Sequence, residues 1–178
     1  PGPAVEADKD VTLHIVAVGV NAYPNLPAPM QLDNSVHDAR GLVRMMKTSE
    51  GKVYGRVESH LLLDGQATIP AILTAIDTVV AATANRPQDI VMIFFAGHGF
   101  AVDREYYFVP ADINPKGEKP RNQADIDRMI RAGGLNQKEM MAHIGKLQTA
   151  KALVLLDTCH SGALVGAGFG NPVEQGEK

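Results

Sequence analysis

The chain has 178 residues, enough for one domain that buries about two-thirds of its unfolded surface. Its net charge of −3 gives no basic field for nucleic acid, and no apolar run approaches the roughly 20 residues needed to cross a bilayer. The single cysteine excludes an internal disulfide framework and a cysteine-rich zinc site. A lone thiol suits a reducing compartment, so we expect a cytoplasmic protein. The chain begins at Pro1 rather than at methionine, which indicates a fragment or a processed product and leaves an upstream signal open.

The chain opens with a polar, proline-bearing stretch over residues 1–11, which is typical of a linker. Apolar runs then alternate with stretches of helical periodicity, and this alternation predicts βαβ units in a parallel sheet with helices on both faces. Most of the runs are nearly continuous, as in strands buried on both faces. The predicted strands are "LHIVAVGV" (13–20), "VESHLLL" (57–63), "DIVMIFFAG" (89–97) and "KALVLLDT" (151–158).

Three helices are predicted from apolar residues at 3–4 spacing. The first runs from Val36 to Met46 after a cap at Asp33 or Asn34, and the second from Ile69 to Val79 after Thr68. The third begins at a capping-box pattern of Asn136 with Glu139. Between strand three and this helix, residues 100–113 predict a hairpin. Residues 112–134 lack periodicity, which predicts a functional loop.

Chemically capable residues fall where predicted parallel strands end, the edge at which open α/β sheets bind ligands. "AGHG" (96–99) closes the third strand, and "DTCHSG" (157–162) closes the fourth. A cysteine nucleophile needs a base such as histidine to raise its thiolate fraction, so Cys159 and His98 form a candidate pair. Backbone N–H groups at Gly99 and Cys159 would receive an oxyanion. The pattern favours acyl transfer.

These motifs resemble those of caspase-like cysteine peptidases, the clan of caspases, metacaspases and paracaspases. "FFAGHG" is similar to their histidine motif, and "LLDTCHSG" is closer to the D-x-C-H-S-G of metacaspases and bacterial orthocaspases than to the Q-A-C-x-G of caspases. "VAVGVNAYPN" and "LDNSVHDARGL" resemble their first strand and helix. The resemblance covers residues 12–166 and implies a caspase-like α/β/α sandwich with a mainly parallel central sheet, followed by a tail or intersubunit linker over 167–178.

The resemblance also implies residue roles. Cys159 would be the nucleophile, His98 the base and Gly99 the oxyanion donor beside the Cys159 backbone. Asp38 and Asp157 match the two acids that line the pocket for a basic P1 residue, so cleavage after arginine or lysine is expected. Read without the resemblance, Asp38 is a first-turn acid favoured by the helix dipole, and Asp157 is a strand-end turn former.

The chain departs from the family pattern beside this pocket, because Ala96 stands where serine is usual and Ser35 where cysteine is common. Only four of the six main strands expected of caspase-like domains are predicted. The other two would come from a small-subunit chain after Lys178, which is therefore a candidate self-cleavage site.

The expected partners are protein or peptide substrates, with neither nucleic acid nor membrane. No cofactor or metal is required by the sequence, although calcium activation, known in many metacaspases, stays open. The alternative function is a catalytically silent caspase-like module that binds or regulates partners. A cysteine phosphatase is excluded, because no arginine stands at the end of the five residues after Cys159.

Overall fold

The computed structural model describes residues 8–26, 28–114, 123–149 and 151–158. Seven strands and four α-helices are assigned within these residues, together with two short 3₁₀ turns at Ala28–Met30 and Asp64–Gln66. The strands are β1 (Asp8–Gly19), β2 (Tyr54–Leu63), β3 (Ile90–Gly97), β4 (Gly99–Val102), β5 (Glu105–Phe108), β6 (Leu135–Asn136) and β7 (Lys151–Thr158). The helices are α1 (Ser35–Lys47), α2 (Ile69–Ala82), α3 (Gln123–Gly133) and α4 (Gln137–Ile144).

The central sheet is four-stranded and parallel, in the order β2-β1-β3-β7. It contains the four predicted strands, and β1 begins at Asp8, earlier than the predicted start at Leu13. The domain limits at residues 11/12 and 166/167 stay predictions, and the tail lies outside the described residues.

Helices cover both faces of this sheet, because alternate residues of the central strands point to opposite sides. Leu13, Ile15 and Ala17 of β1 pack in one apolar cluster with Ala39 and Val43 of α1. The other face packs in a second cluster with α2, α3 and α4. The α/β/α sandwich with a mainly parallel sheet is thus confirmed. None of the helices in the described part of the chain is long and apolar enough to span a bilayer.

Two of the predicted helix caps are confirmed. Thr68 Oγ1 accepts a hydrogen bond from the N–H of Ala71 at 3.4 Å, and Asn136 Oδ1 accepts one from Glu139 at 2.8 Å. At α1 the N-cap residue Asn34 makes no side-chain cap bond. Instead the side chain of Asn21, two residues after β1, accepts from the N–H of Val36 at 3.2 Å and so ties the start of α1 to the end of β1.

The hairpin predicted over residues 100–113 is present as β4 and β5, which pair antiparallel. Its two turn residues, Asp103 and Arg104, both have positive φ, as tight hairpin turns require. The prediction of an aperiodic loop over 112–134 is wrong in its second half, where α3 lies. Ile126, Met129 and Ile130 of α3 form a short 3–4 pattern that packs on the core, and charged residues surround it in the sequence. Residues 115–122 lie outside the described part.

A buried ionic cluster lies at the end of the sheet opposite the candidate site. Asp89, 2% exposed, accepts hydrogen bonds from Arg86 and from the N–H of Thr12, and lies 3.3 Å from His14 Nε2. Burial raises the pKa of Asp89, but the hydrogen bonds from Arg86 and Thr12 outweigh that effect and hold the pKa below its usual 3.8. The charged carboxylate therefore contributes to stability.

Candidate active site

The register of β3 with β7 brings the two candidate motifs to one edge of the sheet. Gly97 pairs with Thr158, and Ala96 pairs with Asp157. Both strands end here, so the residue that precedes His98 lies opposite the residue that precedes Cys159. Cys159 itself lies outside the described residues, as does Lys178. The structure thus describes His98, Gly99, Asp38 and Asp157 of the predicted site.

His98 is 9% exposed and is held from both its ring and its backbone. The ring Nε2 lies 2.8 Å from the carbonyl oxygen of Met30, and the backbone N–H donates to the hydroxyl of Tyr23 at 2.9 Å. The rings of Tyr23 and His98 lie 4.9 Å apart. A carbonyl oxygen only accepts hydrogen bonds, so Nε2 carries the proton in the neutral ring and Nδ1 keeps its lone pair. The imidazole is fixed in a tautomer that accepts a proton at Nδ1.

The glycines on either side of His98 are required by close packing. A Cβ at Gly97, where φ is +154°, would lie 2.9 Å from the Tyr23 hydroxyl. A Cβ at Gly99 would lie 2.7 Å from Thr158 Oγ1, which is itself hydrogen-bonded to Tyr106 at 2.9 Å. The missing side chain at Gly99 therefore lets the start of β4 pass against the end of β7.

Asp38 and Asp157 line one pocket of about 430 Å³ beside this edge. A third carboxylate, Asp33, lines it too, and none of the lining residues that the structure describes is basic. Asp157 is exposed, and the side chain of Asp38 is 42% exposed, with His37 Nδ1 at 3.7 Å from its carboxylate. The pocket is therefore acidic and solvated, which suits a cationic group.

Several of these contacts were missed by sequence reasoning. Tyr23 lies in "VNAYPN", which in the sequence resembles only the segment around the family's first strand. Asp33 is predicted from the sequence only as a possible helix cap. The carbonyl of Met30 carries no sequence signal, because any residue supplies a carbonyl. Within the described ranges, no three histidine, cysteine, aspartate or glutamate side chains are arranged so that they could hold a metal ion.

Comparison with known proteins shows what kind of domain this is. The family model described as the caspase domain matches residues 13–177, nearly the whole chain. The chain belongs to the caspase-domain family. Members of this family are cysteine peptidases, hydrolases that act on proteins, so the resemblance read from the two motifs is confirmed at the level of the caspase domain.

Among solved structures, this caspase domain is similar to protein GSU0716 from Geobacter sulfurreducens, with a TM-score of 0.59 and 20% sequence identity. The match covers 84% of this chain and 51% of that one, so the chain spans about half the length of that protein. At this identity the likeness concerns the fold alone. No curated protein matches the chain.

Proposed function

We propose that this caspase domain is an active cysteine endopeptidase in which Cys159 is the nucleophile and His98 the general base. The observation that carries the proposal is the fixed tautomer of His98. Because Nε2 donates to the Met30 carbonyl, Nδ1 is the atom that can accept a proton. His98 follows the end of β3, and Cys159 follows the neighbouring end of β7 at the same edge of the sheet. A silent module has no chemical need for such a histidine.

The reaction is thiol acyl transfer in two stages. The Cys159 thiol gives its proton to Nδ1 of His98, and its sulfur attacks the carbonyl carbon of the scissile bond. The N–H groups of Gly99 and Cys159 stabilise the resulting oxyanion. The imidazolium then protonates the leaving amine, which departs and leaves a thioester. Water, activated by the same imidazole, hydrolyses the thioester and frees the thiol.

We further propose cleavage after arginine or lysine. The support is the pocket that Asp38 and Asp157 share with Asp33, since a basic P1 side chain there would meet three carboxylates. An aspartate at P1 would meet like charge, so the pocket discriminates by repulsion as well as attraction.

A small-subunit chain following Lys178 is proposed as a partner, with self-cleavage at Lys178 producing the two chains. The support comes from β7, which forms an edge of the sheet within the described part of the chain. Leu153 is 48% exposed there, and Leu155 and Leu156 are only half-buried. An apolar edge strand of this kind needs a neighbouring strand to pair with its backbone N–H and C=O groups and to cover its side chains. Calcium activation and a cytoplasmic location stay predictions.

Covalent labelling with an arginyl peptide ketone tests the enzyme against the silent module. The native chain, made with its downstream segment, should be labelled once, and Cys159→Ala not at all. His98→Ala should lower turnover of an arginyl fluorogenic peptide by at least about a hundredfold. His143→Ala, on α4, is the matched control and should leave the rate unchanged. An unlabelled, inactive native protein with a folded circular dichroism spectrum would favour the silent module.

A further inference from the structure

A second groove, unlike the acidic pocket, lies between α1 and the edge strand β2 and encloses about 590 Å³. Its lining residues on α1 include four that are basic: His37, Arg40, Arg44 and Lys47. Spacings of three, four and three residues place them along one face of the helix, over a rise of about 15 Å. We call this feature the basic groove.

Three of the four basic side chains of the basic groove are unpaired within the described part of the chain, and the fourth, His37, lies 3.7 Å from the carboxylate of Asp38. No carboxylate lines the groove, and neither Arg40, Arg44 nor Lys47 makes an ion pair with any residue that the structure describes. The C-terminal end of the helix dipole accounts for basic residues in the last turn, where Arg44 and Lys47 lie. It does not account for Arg40 in the middle of α1.

Gly41 keeps the basic groove open. A glycine inside a helix is unfavourable relative to alanine, so an interior glycine is usually needed for close packing. Among the described residues no such packing exists, because a Cβ at Gly41 would have nothing within 4 Å. Gly41 instead lines the groove, where any side chain would project into it.

The floor of the basic groove, which β2 forms, is suited to a polypeptide. Ser59 and Leu61 of β2 point to the same side of the sheet and are half-buried beneath the groove. Within the described residues β2 is paired with β1 along its length, and a single bridge joins its first residue, Tyr54, to Glu50. Beyond that bridge its outer side is the edge of the sheet. Two N–H groups of β2 are hydrogen-bonded by side chains: Glu50 accepts from Val57 at 2.8 Å, and Gln66 accepts from Leu63 at 3.4 Å. Ser59 and Leu61, which line the groove, lie between these two positions. A partly apolar floor beside a strand edge favours an extended peptide over a small anion.

We propose that the basic groove binds an acidic, extended segment of the protein substrate, away from the bond that is cleaved. This rests on the proposed peptidase function. The groove and the acidic pocket are joined by the first turn of α1, where His37 lines one and its neighbour Asp38 lines the other. A substrate with a basic cleavage residue and an acidic segment would therefore match two sites of opposite charge. The net charge of −3 disfavours nucleic acid as the occupant.

Direct binding tests the groove without catalysis. The Cys159→Ala chain is titrated with a fluorescein-labelled peptide of alternating glutamate and threonine, and with the same peptide carrying glutamine. The glutamate peptide should bind, and more weakly at high salt. Arg44→Glu should weaken binding about tenfold, whereas Arg128→Glu, the same change at an exposed position of α3, should alter it less than twofold. Gly41→Leu should also weaken it, with no change of charge, and circular dichroism verifies the fold of each variant.

Kinetics separates this proposal from the proposed function. In the active chain, attaching the acidic segment to an arginyl substrate should lower KM without changing kcat, and Arg44→Glu should remove that difference. Equal binding of the glutamate and glutamine peptides, or tighter binding of a single-stranded oligonucleotide, would overturn the groove proposal even if arginyl peptides are cleaved. If the chain is inactive but still binds the glutamate peptide, and Arg44→Glu weakens that binding, the proposed peptidase function is wrong and the binding of an acidic segment in the basic groove is supported.

Discussion

The hydroxyl of Tyr23 holds the backbone of His98, and Tyr23→Phe removes it while keeping the ring beside the imidazole. The N–H of His98 donates to this hydroxyl at 2.9 Å, and both residues are buried. A buried donor left without its acceptor costs about 1–3 kcal/mol, which for a domain of this size lowers the melting temperature by about 2–12 °C. Since small displacements of a catalytic group are costly, kcat should fall roughly tenfold to a hundredfold.

The assay compares melting temperature and turnover of an arginyl fluorogenic peptide with those of Tyr107→Phe. Tyr107 is also buried, but its hydroxyl donates at 3.3 Å to the half-exposed carboxylate of Glu105 and not to a backbone group of His98. Water can replace that donor, so the control should lose less than about 1 kcal/mol and keep its kcat. If Tyr23→Phe and Tyr107→Phe have the same melting temperature and kcat, the hydroxyl does not position His98.

Three further predictions concern Gly99, Asp157 and Asp89. Gly99→Ala should cost about 1–3 kcal/mol in urea unfolding and most of the activity, whereas Gly41→Ala, the same change in open space, should gain up to about 1 kcal/mol. Asp157→Asn should lower kcat/KM for arginyl peptides about fivefold, and the loss is modest because the carboxylate is exposed. If the preference for arginine over glutamine at P1 is unchanged, Asp157 does not contact the P1 side chain. Asp89 has a lowered pKa, so its contribution is present above pH 3.8 and is lost as the pH falls through the folded value. Unfolding of Asp89→Asn between pH 2 and 6 should therefore depend less on pH, and an unchanged slope would contradict this.

The sequence was sufficient to predict the central sheet, because continuous apolar runs such as the third and fourth leave few alternatives to buried parallel strands. It also placed His98 and Asp157 at one edge, since parallel strands end together. It failed at α3, where a short amphipathic pattern lies among charges, and at the start of β1, where polar residues extend the strand. At α3 burial of Met129 and Ile130 overrides weak local preference, and at the start of β1 backbone pairing of Asp8 with Tyr54 of β2 does so.

The contacts that fix His98 were beyond sequence reasoning for a different reason. The Met30 carbonyl belongs to the backbone, and its position depends on the path of the loop between β1 and α1. That path is set by side chains that hold backbone groups: Gln31 accepts from the N–H of Tyr23 at 2.7 Å, and Asp64 accepts from Asn21 at 2.8 Å. Such polar contacts have no periodicity, so no pattern in the sequence reveals them.

The exposure of β7 bears on how the site is completed. Its middle segment "ALVLL" is entirely apolar, like the facing part of β3, yet Phe95 and Ile93 of β3 are buried while Leu153 of β7 is 48% exposed. The difference follows from position, because β3 has a strand on each side and β7 has one on only one side within the described residues. A neighbour on its free side would bury Leu153 and would fix the strand end at Thr158, which leads into Cys159. We therefore expect full activity to require the segment that pairs with β7, even though His98 and the acidic pocket are already in place.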